Sequence, residues 1–154
     1  MRPALAFTLL ALSVLSLAVT PGPSAAYQAR VVQIEVGDTM KFLPAAITAA
    51  PGETVKVVLK HVGKLPKAAM GHNFVLLKKG VDPKKLVEVC ASAADSDFIA
   101  TAVTPQLLAY TRMIGAGETA EASMVVPAQR GDYVFVCTFP GHFALGMKGV
   151  LTVK

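Results

Sequence analysis

The stretch CTFPGHFALGM, residues 137–147, places a cysteine, a histidine and a methionine at intervals of five residues. Thiolate, imidazole and thioether are soft or borderline metal ligands, so this spacing points first to a metal centre. Pro140, Gly141 and Gly146 mark the stretch as a shaped loop rather than a helix. Such a loop can wrap one ion with Cys137, His142 and Met147, and a fourth ligand must then come from elsewhere in the chain.

Only three histidines exist. His72, in MGHNFVLL, opens a predicted strand directly after a glycine, where backbone can approach an ion closely. His61, in LKHVGKLP, ends a different strand, and an isolated histidine there reads as a hydrogen-bonded structural residue. Two histidines, one thiolate and a weak axial methionine are the donor set of blue-copper electron-transfer sites. Structural zinc asks for four strong Cys or His ligands and catalytic zinc for an open water position, so a thioether suits zinc poorly. The chain has two cysteines, and in an exported protein the default reading is a Cys90–Cys137 disulfide, which would take the thiolate away. A Cys137 nucleophile with a histidine base is a further alternative, but no orienting residue or oxyanion hole is visible in the sequence.

Positioning such a loop requires strands at both of its ends. DYVFVC runs into it with Tyr133, Phe135 and Cys137 on one face and Val134 and Val136 on the other, and KGVLTVK leaves it. ARVVQIEV, ETVKVVLK, HNFVLL and TAEASMVVP are further β-branched runs, with a turn-rich stretch GDTMKFLPAAITAAPG between the first two. DPKKLVEVCASAAD differs: Asp82 caps, Pro83 fits the first helical position, and Leu86, Val89, Cys90 and Ala93 recur at helical spacing. The pattern predicts an all-β sandwich of Greek-key type with one short helical insertion.

The 154 residues suffice for one domain with a real core. Residues 1–26 do not read as part of it: Arg2, an apolar run from Ala4 to Val19 and a Pro/Gly break before Ser24 and Ala26 form a secretory signal peptide, with the mature domain spanning 27–154. The run is shorter than the roughly 20 residues of a membrane span, so no stable membrane insertion is expected once it is removed. Beyond the signal, 14 basic residues face 10 acidic ones, and the Lys78, Lys79, Lys84 and Lys85 cluster reads as a solvated face. No nucleic-acid motif is present.

HVGKLPKAAMGHNFVLL together with CTFPGHFALGMKGVLTVK closely resembles the azurins and the cupredoxin family of small blue-copper proteins, and TMKFLPAAI and TRMIGAGE extend the resemblance over nearly the whole mature chain. The resemblance implies a cupredoxin-like sandwich holding one type 1 copper ion. His72, Cys137 and His142 would be the strong ligands, Met147 the weak axial one, and Gly71 a backbone carbonyl on the opposite side. Asn73 would brace the Cys137 loop, and His61 would be the non-ligand histidine near the site. In azurins the methionine stands four residues after the loop histidine. Here it stands five after, as in the auracyanins. The N-terminal disulfide of azurins has Arg30 and Gly52 at its matching positions. Cys90 would then be left alone, and its helical spacing with Leu86 and Val89 reads as a small buried apolar residue, the alternative being an exposed thiol able to dimerise the protein.

The implied activity is one-electron transfer in the periplasm, not enzymatic catalysis, with the protein a monomer. Redox protein partners would dock on an apolar patch around His142 formed by Met40, Leu65, Met70, Phe139 and Pro140, with Ala144 beside them. Copper storage or delivery is the competing reading, and it would need an open site with rapid metal exchange.

Overall fold

The computed structural model describes residues 28–154. The signal-peptide expectation and its cleavage point lie outside the described residues. Among the described residues eight strands form two sheets: β1 (Arg30–Val36), β2 (Ala46–Ala49), β3 (Thr54–His61), β4 (Val75–Leu77), β5 (Leu107–Tyr110), β6 (Thr119–Val125), β7 (Gly131–Val136) and β8 (Lys148–Val153). One sheet has the order β1-β3-β6 and the other β2-β8-β7-β4-β5. The pairs β1/β3 and β2/β8 are parallel, and β3/β6, β8/β7, β7/β4 and β4/β5 are antiparallel.

Alternation along the strands builds the core. Val32, Ile34 and Val36 of β1, Val55, Val57 and Leu59 of β3, and Ala120, Ala122 and Met124 of β6 are buried and pack in one cluster with Ile47, Phe74, Leu76, Tyr133, Phe135 and Leu151 of the facing layer. Cys137 and Met147 belong to this same cluster, so both ends of the loop are anchored in the hydrophobic interior. Gly149 is what lets Phe135 reach its place: a Cβ there would lie 2.1 Å from the ring.

The helical insertion is α2 (Pro83–Cys90), which follows a one-turn helix, α1 (Lys67–Met70). The Asp82 carboxylate accepts the backbone N–H groups of Lys84 at 2.9 Å and Lys85 at 3.4 Å, with Pro83 at the first position. Its apolar side covers the outer face of the five-stranded sheet, where Leu86 and Cys90 pack with Val75, Leu77, Val103, Leu107 and Val136. Val89, grouped by spacing with the buried face, is 47% exposed. The expected strand HNFVLL is regular only over its last three residues, and β2 runs through a stretch that reads as turns. Among the described residues no helix is long and apolar enough to cross a membrane.

Candidate metal centre

The β7–β8 loop is stitched by its own main chain. His142 N–H donates to the Phe139 carbonyl at 3.1 Å, Met147 N–H to His142 at 3.0 Å, and Cys137 N–H to Met147 at 3.4 Å. Just before Met147 the loop closes in a turn in which Gly146 takes φ 90° and donates to the Phe143 carbonyl at 2.9 Å. Only glycine adopts that backbone without strain.

His72 comes from the other side of the site. Its main chain pairs with Ile114 through two hydrogen bonds of 2.8 and 2.9 Å. Its Nε2 lies 3.0 Å from the Gly37 carbonyl. A carbonyl can only accept, so Nε2 carries the proton and Nδ1 keeps its lone pair. That Nδ1 is 3.8 Å from Cys137 Sγ, and His142 Nδ1 is 3.6 Å from the same sulfur. The Gly71 carbonyl lies 3.9 Å from Sγ. The ligating atoms of His72, Cys137 and His142 all fall within 4.8 Å of one another, which is room for one ion. Met147 is fully buried at the end of the loop. Gly71 has no room for a side chain, because a Cβ would meet the Lys67 carbonyl at 2.7 Å and Met113 Cγ at 2.9 Å.

Burial sets the protonation states. It is the main cause that pushes His72 down from its ordinary 6.5 to about 4, with repulsion from His142 and His61 adding to it. His142 is lowered by burial as well. Burial raises the Cys137 thiol to about 12, while the backbone N–H groups of Asn73 and Phe139 pull the other way. Both imidazoles are thus neutral and ready to ligate. The thiol proton leaves only when a cation takes its place.

Asn73 joins the two halves of the site. Its Oδ1 accepts Thr138 N–H at 2.9 Å, and its Nδ2 donates to Thr138 Oγ1 at 2.7 Å and to the Asp97 carbonyl at 3.2 Å. His61 lies beside the cluster, its ring stacked on His72 at 5.1 Å, with both nitrogens committed: Nε2 donates to the Met70 carbonyl at 3.0 Å and Nδ1 accepts Gly63 N–H at 3.1 Å. Cys90 and Cys137 are both free thiols and both buried. Arg30 pairs with Glu53 and donates to the Thr48 carbonyl at 2.8 Å, so an ion pair ties β1 to the turn that carries Gly52.

Of the residues matched to a docking patch, Leu65, Pro140 and Ala144 are exposed, and Met40, Met70 and Phe139 are half-buried. Sequence reasoning missed Gly37, whose carbonyl orients His72, and Thr138, the partner of Asn73. Neither carries a local signal, since each acts through a contact with a residue far along the chain.

A two-sheet sandwich with a buried His, Cys and His cluster and a methionine on one loop defines a blue-copper cupredoxin. Residues 28–154 match the family described as copper binding proteins, plastocyanin/azurin family, and the chain belongs to it. It is 37% identical over 126 residues to an azurin of Pseudomonas fluorescens biotype C, an alignment covering 80% of this chain and 97% of that one. It is 45% identical over 83 residues to auracyanin-B of Chloroflexus aurantiacus, covering 53% of this chain and 35% of that one. In three dimensions it is similar to dithionite-reduced auracyanin of Roseiflexus castenholzii, with a TM-score of 0.72 at 33% identity, over 82% of this chain and 98% of that one. The two auracyanins among these relatives support the auracyanin-like variant of the resemblance. The donor chemistry fits one type 1 copper ion: two neutral imidazoles, one thiol and a thioether, held away from water.

Proposed function

We propose that the protein is a one-electron carrier, not an enzyme. In this reading His72 Nδ1, Cys137 Sγ and His142 Nδ1 would hold the copper strongly, and Met147 and the Gly71 carbonyl would hold it weakly. The observation that carries the proposal is the convergence of two imidazole nitrogens and one sulfur within 4.8 Å in a buried pocket. Bound copper supplies the Cu(II)/Cu(I) couple. The chain supplies rigidity: the Gly37 carbonyl holds the His72 ring, Asn73 clamps the residue after Cys137, and the loop's own hydrogen bonds hold His142 and Met147. Donors that barely move between oxidation states keep the reorganisation on electron transfer small.

His142 is 4% exposed and is the donor that a partner can approach. Redox partners dock on the apolar residues around it, Met40, Leu65, Met70, Phe139 and Pro140, with Ala144 beside them. Small and flexible apolar groups suit a contact that must release quickly. Residues 1–26 serve as an export signal that is cleaved off, and the 27–154 domain works in the periplasm as a monomer.

The test is to add Cu(II) to the purified protein and record the visible spectrum beside that of Cys137→Ser. An intense blue charge-transfer band that vanishes on reduction and is absent from the variant is expected. A colourless wild-type protein would overturn the proposal.

A further inference from the structure

The turn between α2 and β5 holds two consecutive non-glycine residues in the left-handed region, Asp97 at φ 53° and Phe98 at φ 57°. For a bulky aromatic residue this backbone is an outlier, and it persists only where its surroundings hold it. Here Phe98 N–H donates to the Ala93 carbonyl and Ile99 N–H to Ser96, both at 2.9 Å, and the Asp97 carbonyl accepts Asn73 Nδ2 at 3.2 Å. The strained turn is therefore tied to the same asparagine that clamps Thr138.

Its second link to the site is aromatic. The Phe98 ring meets Phe139 edge-on, with centroids 5.4 Å apart and planes at 62°. Phe139 lies over the His142 imidazole at 4.5 Å, with planes at 31°. Phe139 is only half-buried and has open space on both flanks. On the Phe98 side is a hollow of about 280 Å³ reaching Lys67 and Met113. On the other is a groove of about 220 Å³ against Val87 and Ala91 of α2. A ring so placed has room to tip, and the Phe98 ring is the contact that stops it on the side of the turn.

We propose that Phe98 is a positioning residue for the metal centre: the left-handed turn presses its ring against Phe139, and Phe139 is thereby held over His142. The arrangement limits the rotation of the His142 ring and keeps water from it. The consequence for redox behaviour rests on the copper reading given above, whereas the ring geometry does not. Loss of the cover admits water to the site. Water favours the more highly charged oxidised state, so the reduction potential falls.

The experiment compares Phe98→Ala with Phe98→Tyr. Both retain a Cβ in the left-handed backbone, so the pair isolates the ring from the strain. In the copper-free protein, NMR reads the His142 ring protons, which a phenyl ring at this distance shifts away from their positions in free histidine. The expected result is that Phe98→Ala moves these signals toward the free-histidine positions and Phe98→Tyr leaves them in place. In the copper-loaded protein, the reduction potential is expected to fall in the alanine variant alone. Unchanged His142 signals in Phe98→Ala, or equal displacement in both variants, would overturn the proposal. Should Phe98→Ala not fold, Phe98→Leu takes its place. In the wild type, absence of a nuclear Overhauser contact between the Phe98 and Phe139 rings would by itself refute the geometry. A missing blue band would count against the copper reading alone, because the His142 signals decide the ring proposal without metal.

Discussion

Asn73→Ala tests the joint between the two halves of the site. The substitution removes the acceptor of Thr138 N–H at 2.9 Å, the donor to Thr138 Oγ1 at 2.7 Å and the donor to the Asp97 carbonyl at 3.2 Å. Thr138 is 1% exposed, so its N–H is left buried without a partner, at a cost of about 1–3 kcal/mol. Loss of the hydroxyl contact adds about 1 kcal/mol. The bond to the Asp97 carbonyl is only part-buried and at 3.2 Å is the longest of the three, so it adds little. The expected total is about 2–4 kcal/mol. Read by urea unfolding of the copper-free protein, this is a fall of about 1–2 M in the midpoint at an unchanged slope. A cycle with Thr138→Val, which deletes only the hydroxyl, should return a coupling of about 1 kcal/mol for that contact. A midpoint that moves by less than about 0.3 M would refute the claim that Asn73 holds the loop, since it would mean that water or a rearranged backbone satisfies Thr138 equally well.

Four other outcomes are expected. The copper-free protein should lose stability as pH falls from 6.5 toward about 4, because the unfolded chain protonates His72 first and the fold resists the charge; the urea midpoint followed over this range shows it, and His72→Gln should make the profile shallower, with His142 supplying what remains. Gly71→Ala should destabilise by about 2 kcal/mol or more in the same assay, since the backbone carbonyl of Lys67 cannot move aside for a Cβ at 2.7 Å. Cys90, buried and with its thiol raised by that burial, should stay unreactive to thiol reagents until the domain unfolds, and Cys90→Ala should leave the blue band unchanged. Met70→Lys should slow electron self-exchange by about tenfold or more through like-charge repulsion at the docking face while leaving the visible spectrum nearly unchanged; a large spectral change would sink the patch assignment.

The parts of this protein that its sequence determined alone are those where one short segment carries the whole physical cause. Cys137, His142 and Met147 share a loop, so their order and spacing can be read directly. Asp82 and Pro83 start α2 within three residues of chain, and the β-branched alternation of β1, β3 and β7 declares which side chains face inward. The tertiary structure decided everything that depends on a partner distant in sequence. β2 is a strand because β8 lies beside it, although its two alanines disfavour a strand and turn residues surround Ile47 and Thr48. Val89 faces solvent although its spacing groups it with buried neighbours, because α2 sits on the sheet through Leu86 and Cys90, with Val87 partly buried against the same cluster. The tautomer of His72 is set by a carbonyl 35 residues earlier, and the clamp on Thr138 comes from 65 residues away. Donor chemistry is a property of residue type, which a sequence states. The direction in which each donor points is a property of the packed chain, because buried N–H and C=O groups must find partners wherever the fold brings them.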